Sequence, residues 1–431
     1  MTDRPDRGQG AGADGEPGED PGFDAETGTA TPTATGPGVL DVFRGDGRGP
    51  TILLVGLGWF LVLGLRYLVP ALLPQIKAGF GLGNAAAGFA VTVIWVAYAL
   101  MQFPAGSAVG RVGERALLAV SLAAAGASLV AIGLAPTFLV FLVGVALFGL
   151  GTGLFGPPRG TLLSRTFAPN DGAAIGVVLA AGSVGSAALP FLAGLLVDDL
   201  GWRVTVAATA PFFLVVAVGT WRLVPARERS PDTDGGSTLP AVADLRRALS
   251  RRSVLVGVPA ITLLLFVMQG LTAFLPTYLI EVKGLSQETA SGLFALLFLS
   301  GAVAQSAGGS LADRYGDRPV LLASTLLGTA PLAALPYVSG LLPLTAITLL
   351  LGVRLGINAV SNSYLIAVLP RDVQGPAWGL LRTVFFVLGA TGSVFVGVFA
   401  DRGLFALAFL VLAALSVVAA GLYLFLPARG R

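Results

Sequence analysis

The chain has 431 residues, of which 55% are hydrophobic and only 12% are charged, whereas soluble proteins are about 25% charged. It contains neither Cys nor His, which excludes disulfides, thiolate or imidazole metal sites and the common nucleophile–base pairs of hydrolytic enzymes. The net charge of +3 carries no nucleic-acid signal, because basic residues in so apolar a chain serve to orient membrane segments. We therefore expect no enzymatic activity, no cofactor or metal and no nucleic-acid partner.

Residues 1–49 differ from the rest of the chain in composition. They hold ten acidic residues and four Arg among many Gly, Pro and Thr. Such a segment has too little apolar surface to offset the entropy of ordering, so we predict a disordered acidic tail on the cytoplasmic side. The first apolar run begins at Thr51 and contains Arg66, which fits a membrane span better than a cleavable signal peptide.

Twelve apolar runs follow, each close to the roughly 20 residues that cross a bilayer. Because every backbone group in lipid must be satisfied within its own segment, each run is predicted to be a helix. The fold class is therefore an all-α polytopic membrane protein. We call the runs spans 1 to 12, predicted at residues 51–74, 84–109, 116–134, 137–163, 173–197, 204–224, 254–279, 288–311, 319–339, 343–368, 376–400 and 404–426.

Lys and Arg are unevenly distributed between the two sets of connections. If the N-terminus is inside, the inner connections and C-terminus carry fifteen and the outer connections carry four. The positive-inside rule therefore predicts that both termini are cytoplasmic, in a cell membrane. The longest inner connection, residues 225–253, is predicted to end in a short basic amphipathic helix from about residue 241 to residue 252. It separates two predicted six-helix bundles, residues 50–224 and 254–427.

The two halves repeat each other at an offset of 203 residues. Several rare polar residues recur at this offset, which makes chance agreement improbable. A duplicated membrane unit predicts two bundles that move around a site near the middle of the membrane. The matching pairs include Gln102 and Gln305, Arg111 and Arg314, Gly113 and Gly316, Arg115 and Arg318, and Asp198 and Asp401.

Residues 309–318, with the sequence Gly-Ser-Leu-Ala-Asp-Arg-Tyr-Gly-Asp-Arg, resemble the loop signature of the major facilitator superfamily, G-x-L-x-D-R-x-G-x-R. They lie between spans 8 and 9. A first copy at residues 106–115 keeps the glycines and both arginines but has Gly110 where the superfamily has Asp. The resemblance covers about residues 50–427 and implies a prokaryotic secondary transporter that works by alternating access.

In that superfamily the loop locks the two halves together at the cytoplasmic side. The resemblance therefore implies a gating role for both copies, with Asp313 facing the start of span 5. The missing carboxylate at Gly110 predicts that the inner gate is asymmetric. The predicted gating residues are Gly106, Arg111, Gly113, Arg115, Gly309, Asp313, Arg314, Gly316 and Arg318.

Four arginines, but no deep Asp or Glu, lie within the predicted spans. A charge at the bilayer centre costs on the order of 3 kcal/mol or more, so each is a functional candidate. At about 1.5 Å per residue, Arg354 lies about 17 Å from the nearer end of span 10, which is too far to snorkel. Arg66 is roughly 12 Å from the outer end of span 1. Arg159 and Arg382 lie within about two turns of the inner face, where snorkelling or packing suffices.

Span 10 carries a polar stripe formed by Arg354, Asn358, Ser361 and Asn362, at helical spacing. Helix–helix hydrogen bonding would also explain this stripe. In the superfamily, spans 1, 4, 7 and 10 line the central cavity, so the resemblance implies that Arg66 and Arg354 face each other across it. Two cations without an acidic partner need an anion. The predicted substrate-binding residues are Arg354, Arg66, Asn358, Asn362, Gln269 and Tyr98.

We therefore predict a monomeric secondary transporter of a small organic or inorganic anion, with the lipid bilayer as its surroundings. Two alternatives stay open. The same fold could export apolar drugs, with the arginines in structural roles. A non-transporting membrane receptor is a candidate from another class. Flux into proteoliposomes separates a transporter from a receptor, and a competition panel of anions and cations separates the two kinds of transporter.

Overall fold

The structure, a computed structural model, describes residues 48–168, 170–226, 247–370 and 373–427, without the side chains of residues 358, 359 and 376. Helices dominate these ranges. The predicted acidic tail, apart from its last two residues, and the first half of the predicted amphipathic helix lie outside the described residues. The first half of the molecule, as used below, is the part with spans 1 to 6, and the second half is the part with spans 7 to 12.

Most predicted spans are single helices or helices with one break. Spans 1 to 3 are Arg48–Ala71, Asn84–Val112 and Glu114–Gly133. Span 4 consists of Phe138–Gly153 and Gly156–Thr166. Spans 7, 8, 9 and 12 are Arg252–Glu281, Gln287–Tyr315, Asp317–Ala334 and Phe405–Leu424. Span 10 consists of Leu341–Gly352, the 3-10 turn Val353–Leu355 and Gly356–Val368, and span 11 of Gln374–Ala390 and Gly392–Ala400.

Spans 5 and 6 form one apolar helical stretch, Asp171–Leu223, of 53 residues. A straight helix of that length would measure about 80 Å, more than twice the thickness of the hydrocarbon. The stretch is broken at Gly201, whose φ of 72° and ψ of 153° are not helical. Span 5 therefore ends before Gly201 and span 6 begins after it. The eleven apolar stretches in the described part of the chain thus hold all twelve predicted spans.

The repeat is visible in the turns as well as in the sequence. Gly113 and Gly316, which end spans 2 and 8, have φ values of 86° and 89°. Gly81 and Gly284, also 203 residues apart, have φ values of 65° and 70°. Glycine adopts positive φ without the steric cost that a Cβ imposes. Both halves therefore turn their chain with the same residue at equivalent places.

The two halves pack against each other through spans 2 and 11, spans 5 and 8, and spans 1 and 7. At the contact of spans 2 and 11 the backbones approach very closely. A Cβ added to Gly88 would lie 2.4 Å from the carbonyl oxygen of Ser393, and one added to Gly397 would lie 2.4 Å from that of Asn84. Small residues allow this close packing, as is common between membrane helices.

Following the predicted topology, we call the end with the span 2–3 and span 8–9 connections the inner end, and the opposite end the outer end. Polar contacts join the two halves at the outer end. Lys77 forms an ion pair of 2.7 Å with Glu281. The Asp401 carboxylate accepts hydrogen bonds from the backbone N–H groups of Asn84 and Ala85, the first two residues of span 2. The structure is therefore closed at its outer end.

The loop signatures at the inner end make their described contacts within one half. Glu114 is buried and lies 3.6 Å from Arg165, while the Arg115 guanidinium lies 5.0 Å from the centre of the Trp221 ring. Asp313 is exposed and forms no ion pair with any residue that the structure describes. The gating role of these loops, and the placing of Asp313 opposite span 5, stay predictions.

Candidate substrate site

A central cavity of about 220 Å³ lies between the two halves. Spans 1, 2, 5, 7, 8, 10 and 11 contribute to its wall. Its lining contains two arginines and, among the residues that the structure describes, no Asp or Glu. The polar lining residues are Arg66, Tyr67, Tyr98, Ser183, Ser186, Gln269, Gln305, Asn362 and Arg382.

Arg66 of span 1 is only 1% exposed. Its guanidinium carbon lies 3.7 Å from the centre of the Tyr98 ring and 5.4 Å from that of the Trp95 ring. Cation–π attraction to these rings partly offsets the loss of hydration. Its Nη2 donates a hydrogen bond of 3.3 Å to the Thr152 carbonyl. No described residue accepts a hydrogen bond from Nε, so Arg66 retains a donor for a ligand.

The Thr152 carbonyl that accepts this bond lies at the break in span 4. Helix Phe138–Gly153 ends one residue after Thr152. The same carbonyl also accepts a hydrogen bond of 3.2 Å from the Phe155 N–H, in the tighter i→i+3 pattern that is common at helix ends. Because a carbonyl oxygen has two lone pairs, it accepts from both Phe155 and Arg66.

Arg382 of span 11 brings a second cation to the cavity from the other half. Its Nη2 lies 3.5 Å from the Tyr98 hydroxyl oxygen, and its guanidinium carbon lies 5.6 Å from the centre of the Phe386 ring. We expected snorkelling or packing to explain this residue. The structure instead has it on the cavity wall.

Arg354 does not line the cavity. It is 4% exposed, and its Nη2 donates a hydrogen bond of 3.0 Å to the Ser416 hydroxyl of span 12. A Cβ added to Gly328 of span 9 would lie 2.0 Å from its Cγ, so glycine makes room for the arginine stem. Arg354 therefore lies inside the second bundle, and the expectation that it faces Arg66 across the cavity is not met.

The other residues of the span 10 stripe lie in different surroundings. The Ser361 hydroxyl is hydrogen-bonded to the Tyr423 hydroxyl of span 12 at 3.1 Å, which is helix–helix bonding. Asn362 lines the cavity. The side chain of Asn358 lies outside the described part of the structure. The stripe is thus divided between a helix–helix contact and the cavity wall, and its role in substrate binding stays a prediction.

Of the predicted substrate-binding residues, the cavity brings together Arg66, Tyr98, Gln269 and Asn362. Gln269 is 2% exposed, and its Nε2 has no hydrogen-bond partner among the described residues. Arg382 also lines the cavity, although it was not among the substrate-binding residues predicted from the sequence. Its depth in span 11 was readable from the sequence, but the direction in which it points was not.

A second cavity, which we call the vestibule, has a volume of about 380 Å³ and lies between spans 2, 4 and 11. It shares Tyr98 and Arg382 with the central cavity. Its lining also includes Gln102 and Arg159. The Arg159 guanidinium carbon lies 3.9 Å from the centre of the Trp59 ring, and Trp59 itself lines the central cavity. The two cavities are therefore neighbours.

The sequence pattern that defines the Major Facilitator Superfamily matches this chain over residues 52–350, and a second match covers residues 284–431. The chain belongs to the Major Facilitator Superfamily. It is a multi-pass membrane protein, and its fold and relatives are those of secondary transporters.

Several relatives of this superfamily member match over most of their length. It is 26% identical to the uncharacterized MFS-type transporter YfnC of Bacillus subtilis, over 82% of this chain and 87% of that protein. It is 27% identical to the fosmidomycin resistance protein of Escherichia coli, over 84% and 89% of the two chains. The hexuronate transporter of Bacillus subtilis is 24% identical, over 80% of this chain and 86% of its own.

The fold is also similar to that of solved transporters. The crystal structure of a bacterial homolog of the human lysosomal transporter Spinster superimposes with a TM-score of 0.75 at 16% sequence identity, covering 89% of this chain and 97% of the other. At this identity the similarity concerns the fold alone. It supports the arrangement of twelve helices in two bundles.

Proposed function

We propose that this superfamily member transports a small organic or inorganic anion, carboxylate or phosphate-like, which binds between Arg66 and Arg382. The observation that carries the proposal is the charge of the central cavity. Both ionised side chains in its lining are cations, and no Asp or Glu lines it among the described residues. Two donors that have no partner among the described residues, Arg66 Nε and Gln269 Nε2, also need an acceptor.

Without a bound anion, the positive charges of Arg66 and Arg382 in the central cavity are electrostatically unfavourable. A cation in the hydrocarbon region costs on the order of 3 kcal/mol or more unless it is paired or hydrated. An anion that accepts hydrogen bonds from a guanidinium group offsets this cost, because such bonds are charge-assisted and often bidentate. Carboxylates and phosphates have the matching planar or tetrahedral oxygen geometry.

The position of the two arginines suits alternating access. Arg66 belongs to span 1 and Arg382 to span 11, so they come from opposite halves. An anion bound between them would link the halves at the middle of the membrane, where transporters of this architecture hold their substrate. Gln269 of span 7 and Asn362 of span 10 would orient the ligand.

The distribution of Lys and Arg supports a proposed orientation with both termini cytoplasmic in the cell membrane. We propose a monomer. One relative is named a hexuronate transporter, and a hexuronate carries a carboxylate. That name is consistent with an anionic substrate for this chain.

Export of apolar drugs is a second candidate, favoured by the aromatic part of the cavity wall. Tyr67 and Phe298 lie 4.3 Å apart between ring centres, and Trp95 and Phe386 lie 6.1 Å apart with nearly parallel rings. One relative is named a fosmidomycin resistance protein. Another, matching 36% of this chain, is named a multidrug resistance protein.

Uptake into proteoliposomes tests the proposal. The panel contains phosphate, glucuronate and benzoate as anions, glucose as a neutral solute and tetraphenylphosphonium as an apolar cation. We expect uptake of at least one anion, with a loss of about tenfold or more in Arg66→Gln and Arg382→Gln, since each removes a charged hydrogen bond of about 1.5–3 kcal/mol. Arg402→Gln is the matched control, because Arg402 is exposed at the outer end and bonds to its own helix. Uptake of only the cation or the neutral solute would overturn the anion proposal.

A further inference from the structure

The vestibule contains charged and polar groups that the central site does not use. We propose that the vestibule is a second anion-binding site, formed by Arg159, Gln102 and Arg382, which holds a carboxylate or phosphate before it reaches the central cavity. This inference rests on the proposed function, because it concerns the same substrate. It assigns the anion an additional position on the inner side of Tyr98.

Arg159 is the main charge of this site. Its guanidinium carbon lies 3.9 Å from the centre of the Trp59 ring, so one face of the group is covered by an aromatic ring. Its Nη1 is buried and has no hydrogen-bond partner among the described residues. The vestibule lining contains no Asp or Glu within the described part of the chain. An oxyanion is therefore the ligand that would satisfy this donor.

Gln102 of span 2 supplies a second donor. Its side chain is 8% exposed and lines the vestibule, yet its Nε2 has no partner among the described residues. Leaving a buried amide donor unpaired costs about 1–3 kcal/mol. Its repeat equivalent, Gln305, lines the central cavity. One member of this repeated pair thus lies in each cavity.

Span 4 shapes the vestibule but supplies no backbone donor to it from its first turn. Helix Gly156–Thr166 begins at the vestibule, and Gly156 and Gly160 are part of the lining. Pro157 and Pro158 lack N–H groups, and the Arg159 N–H donates to the Phe155 carbonyl at 3.3 Å. The donors of the site are consequently the side chains of Arg159, Gln102 and Arg382.

The pair formed by Tyr98 and Arg382 divides the two sites. Both residues line both cavities, and their contact of 3.5 Å lies between spans 2 and 11. An anion in the vestibule would interact with Arg159 and Arg382, and one in the central cavity with Arg66 and Arg382. Arg382 therefore serves both sites in turn, which gives the ligand a continuous path of cations.

Tryptophan fluorescence can test the two sites separately, because the lining of each cavity contains a tryptophan that the other cavity lacks. Trp378 lines the vestibule, and Trp95 lines the central cavity. Two full-length reporter chains in nanodiscs keep only one of these residues, with every other tryptophan replaced by Phe. Iodide serves as an anionic quencher and acrylamide as a neutral one. The ratio of their quenching constants reports local enrichment of anions.

We expect Trp378 to show a high iodide-to-acrylamide ratio that falls about fivefold in Arg159→Gln, the effect of one unit charge at a few ångströms in a hydrated site. Arg159→Lys should keep the ratio, because it keeps the charge. Arg66→Gln should lower the ratio at Trp95 and leave that at Trp378 nearly unchanged. Acrylamide constants that stay equal among the variants show that each has folded.

The outcomes separate the vestibule site from the proposed function. If Trp95 prefers iodide and Trp378 does not, the vestibule site is wrong and the central site survives. A preference at Trp378 that persists in Arg159→Gln also overturns the vestibule site. If neither tryptophan prefers iodide, the anion proposal fails together with this inference.

Discussion

The hydroxyl oxygen of Tyr98 lies 3.5 Å from Nη2 of Arg382, and this contact joins the two halves at the boundary between the two cavities. The ring of the same tyrosine lies 3.7 Å from the Arg66 guanidinium carbon. One side chain therefore touches a cation from each half, through its hydroxyl and through its ring. These two roles can be tested apart.

Tyr98→Phe removes the hydroxyl but keeps a ring under Arg66. We expect the affinity for the transported anion to fall about tenfold, since a hydrogen bond to a charged group contributes about 1.5–3 kcal/mol. Tyr98→Leu removes both interactions and should lower affinity further. Equilibrium binding with the anion identified in the uptake panel measures both effects. Equal affinities for Tyr98→Leu and the wild type would show that Tyr98 does not support the site.

Arg354 should act in stability rather than in binding. Arg354→Met replaces it by an apolar chain of similar length, and such replacements of buried charges are often neutral or stabilising. We expect an unchanged or higher melting temperature and an unchanged anion affinity. Arg354→Ala leaves a void between spans 9 and 12 and should lower stability by about 2–4 kcal/mol.

Thermal unfolding followed by size-exclusion chromatography, together with anion binding, measures both properties of the Arg354 variants. The decisive result is the binding by Arg354→Met. If this variant is folded but no longer binds the anion, Arg354 belongs to the substrate site after all, as the sequence alone predicted.

The outer contacts should hold the structure closed at that end. Asp401→Asn weakens the interaction of a carboxylate with the N-terminus of span 2, which is typically 0.3–1 kcal/mol, and up to ~2 kcal/mol when partly buried. Glu281→Gln removes the ion pair with Lys77. We expect each change to shift the population toward an outward-open state, by up to about tenfold when both are combined.

Spin labels on Cys at positions 199 and 402, one in each half at the outer end, can report this opening, because the chain has no native Cys. The expected change is a longer distance in Asp401→Asn. Asp198→Asn is the matched control, since Asp198 is the repeat equivalent of Asp401 and is exposed. Identical distance distributions in all these variants would show that the outer contacts do not control closure.

The inner gate can be tested at the residue where the first loop copy departs from the signature. A Cβ at Gly110 would meet no atom within 4 Å, so Gly110→Asp fits this conformation. We expect it to favour the inward-closed state by restoring a carboxylate, whereas Asp313→Asn should favour the inward-open state. Labelling of single Cys residues in the vestibule, such as one at Gly379, measures access from the inner side. Unchanged labelling in both variants would mean that the loops only determine topology.

The positions of the spans were predictable because they depend on length and hydrophobicity alone. Arg48–Ala71 and Asn84–Val112 begin and end within three residues of the predicted runs. Only the boundary of spans 5 and 6 is hidden within one helical stretch. The repeat was predictable because rare polar residues recur at an offset of 203 residues. Gly113 and Gly316 recur at the same offset, and both supply a positive-φ turn in the structure.

The residues of the cavity were predictable only in part. Polar character and depth singled out Arg66, Tyr98, Gln269 and Asn362 from the sequence, and all four line the cavity. The same criteria selected Arg354, which lies elsewhere. The prediction that the polar residues of span 10 form one stripe required a continuous α-helix of 3.6 residues per turn. The 3-10 turn Val353–Leu355 has three residues per turn, so it rotates the residues on its two sides relative to each other.

The sequence by itself thus determined that the chain crosses the membrane twelve times, that it is duplicated and that its deep charges are all cations. Only the tertiary structure decided which of those cations share a cavity. The physical reason is that apolar residues face lipid, neighbouring helices and cavity walls alike, so hydrophobicity does not define the rotation of a buried helix about its axis. That rotation depends on the close contacts of side chains and glycines, such as the fit of Arg354 against Gly328. It directs Arg354 into the second bundle, while Arg382 and Arg66 lie in the central cavity.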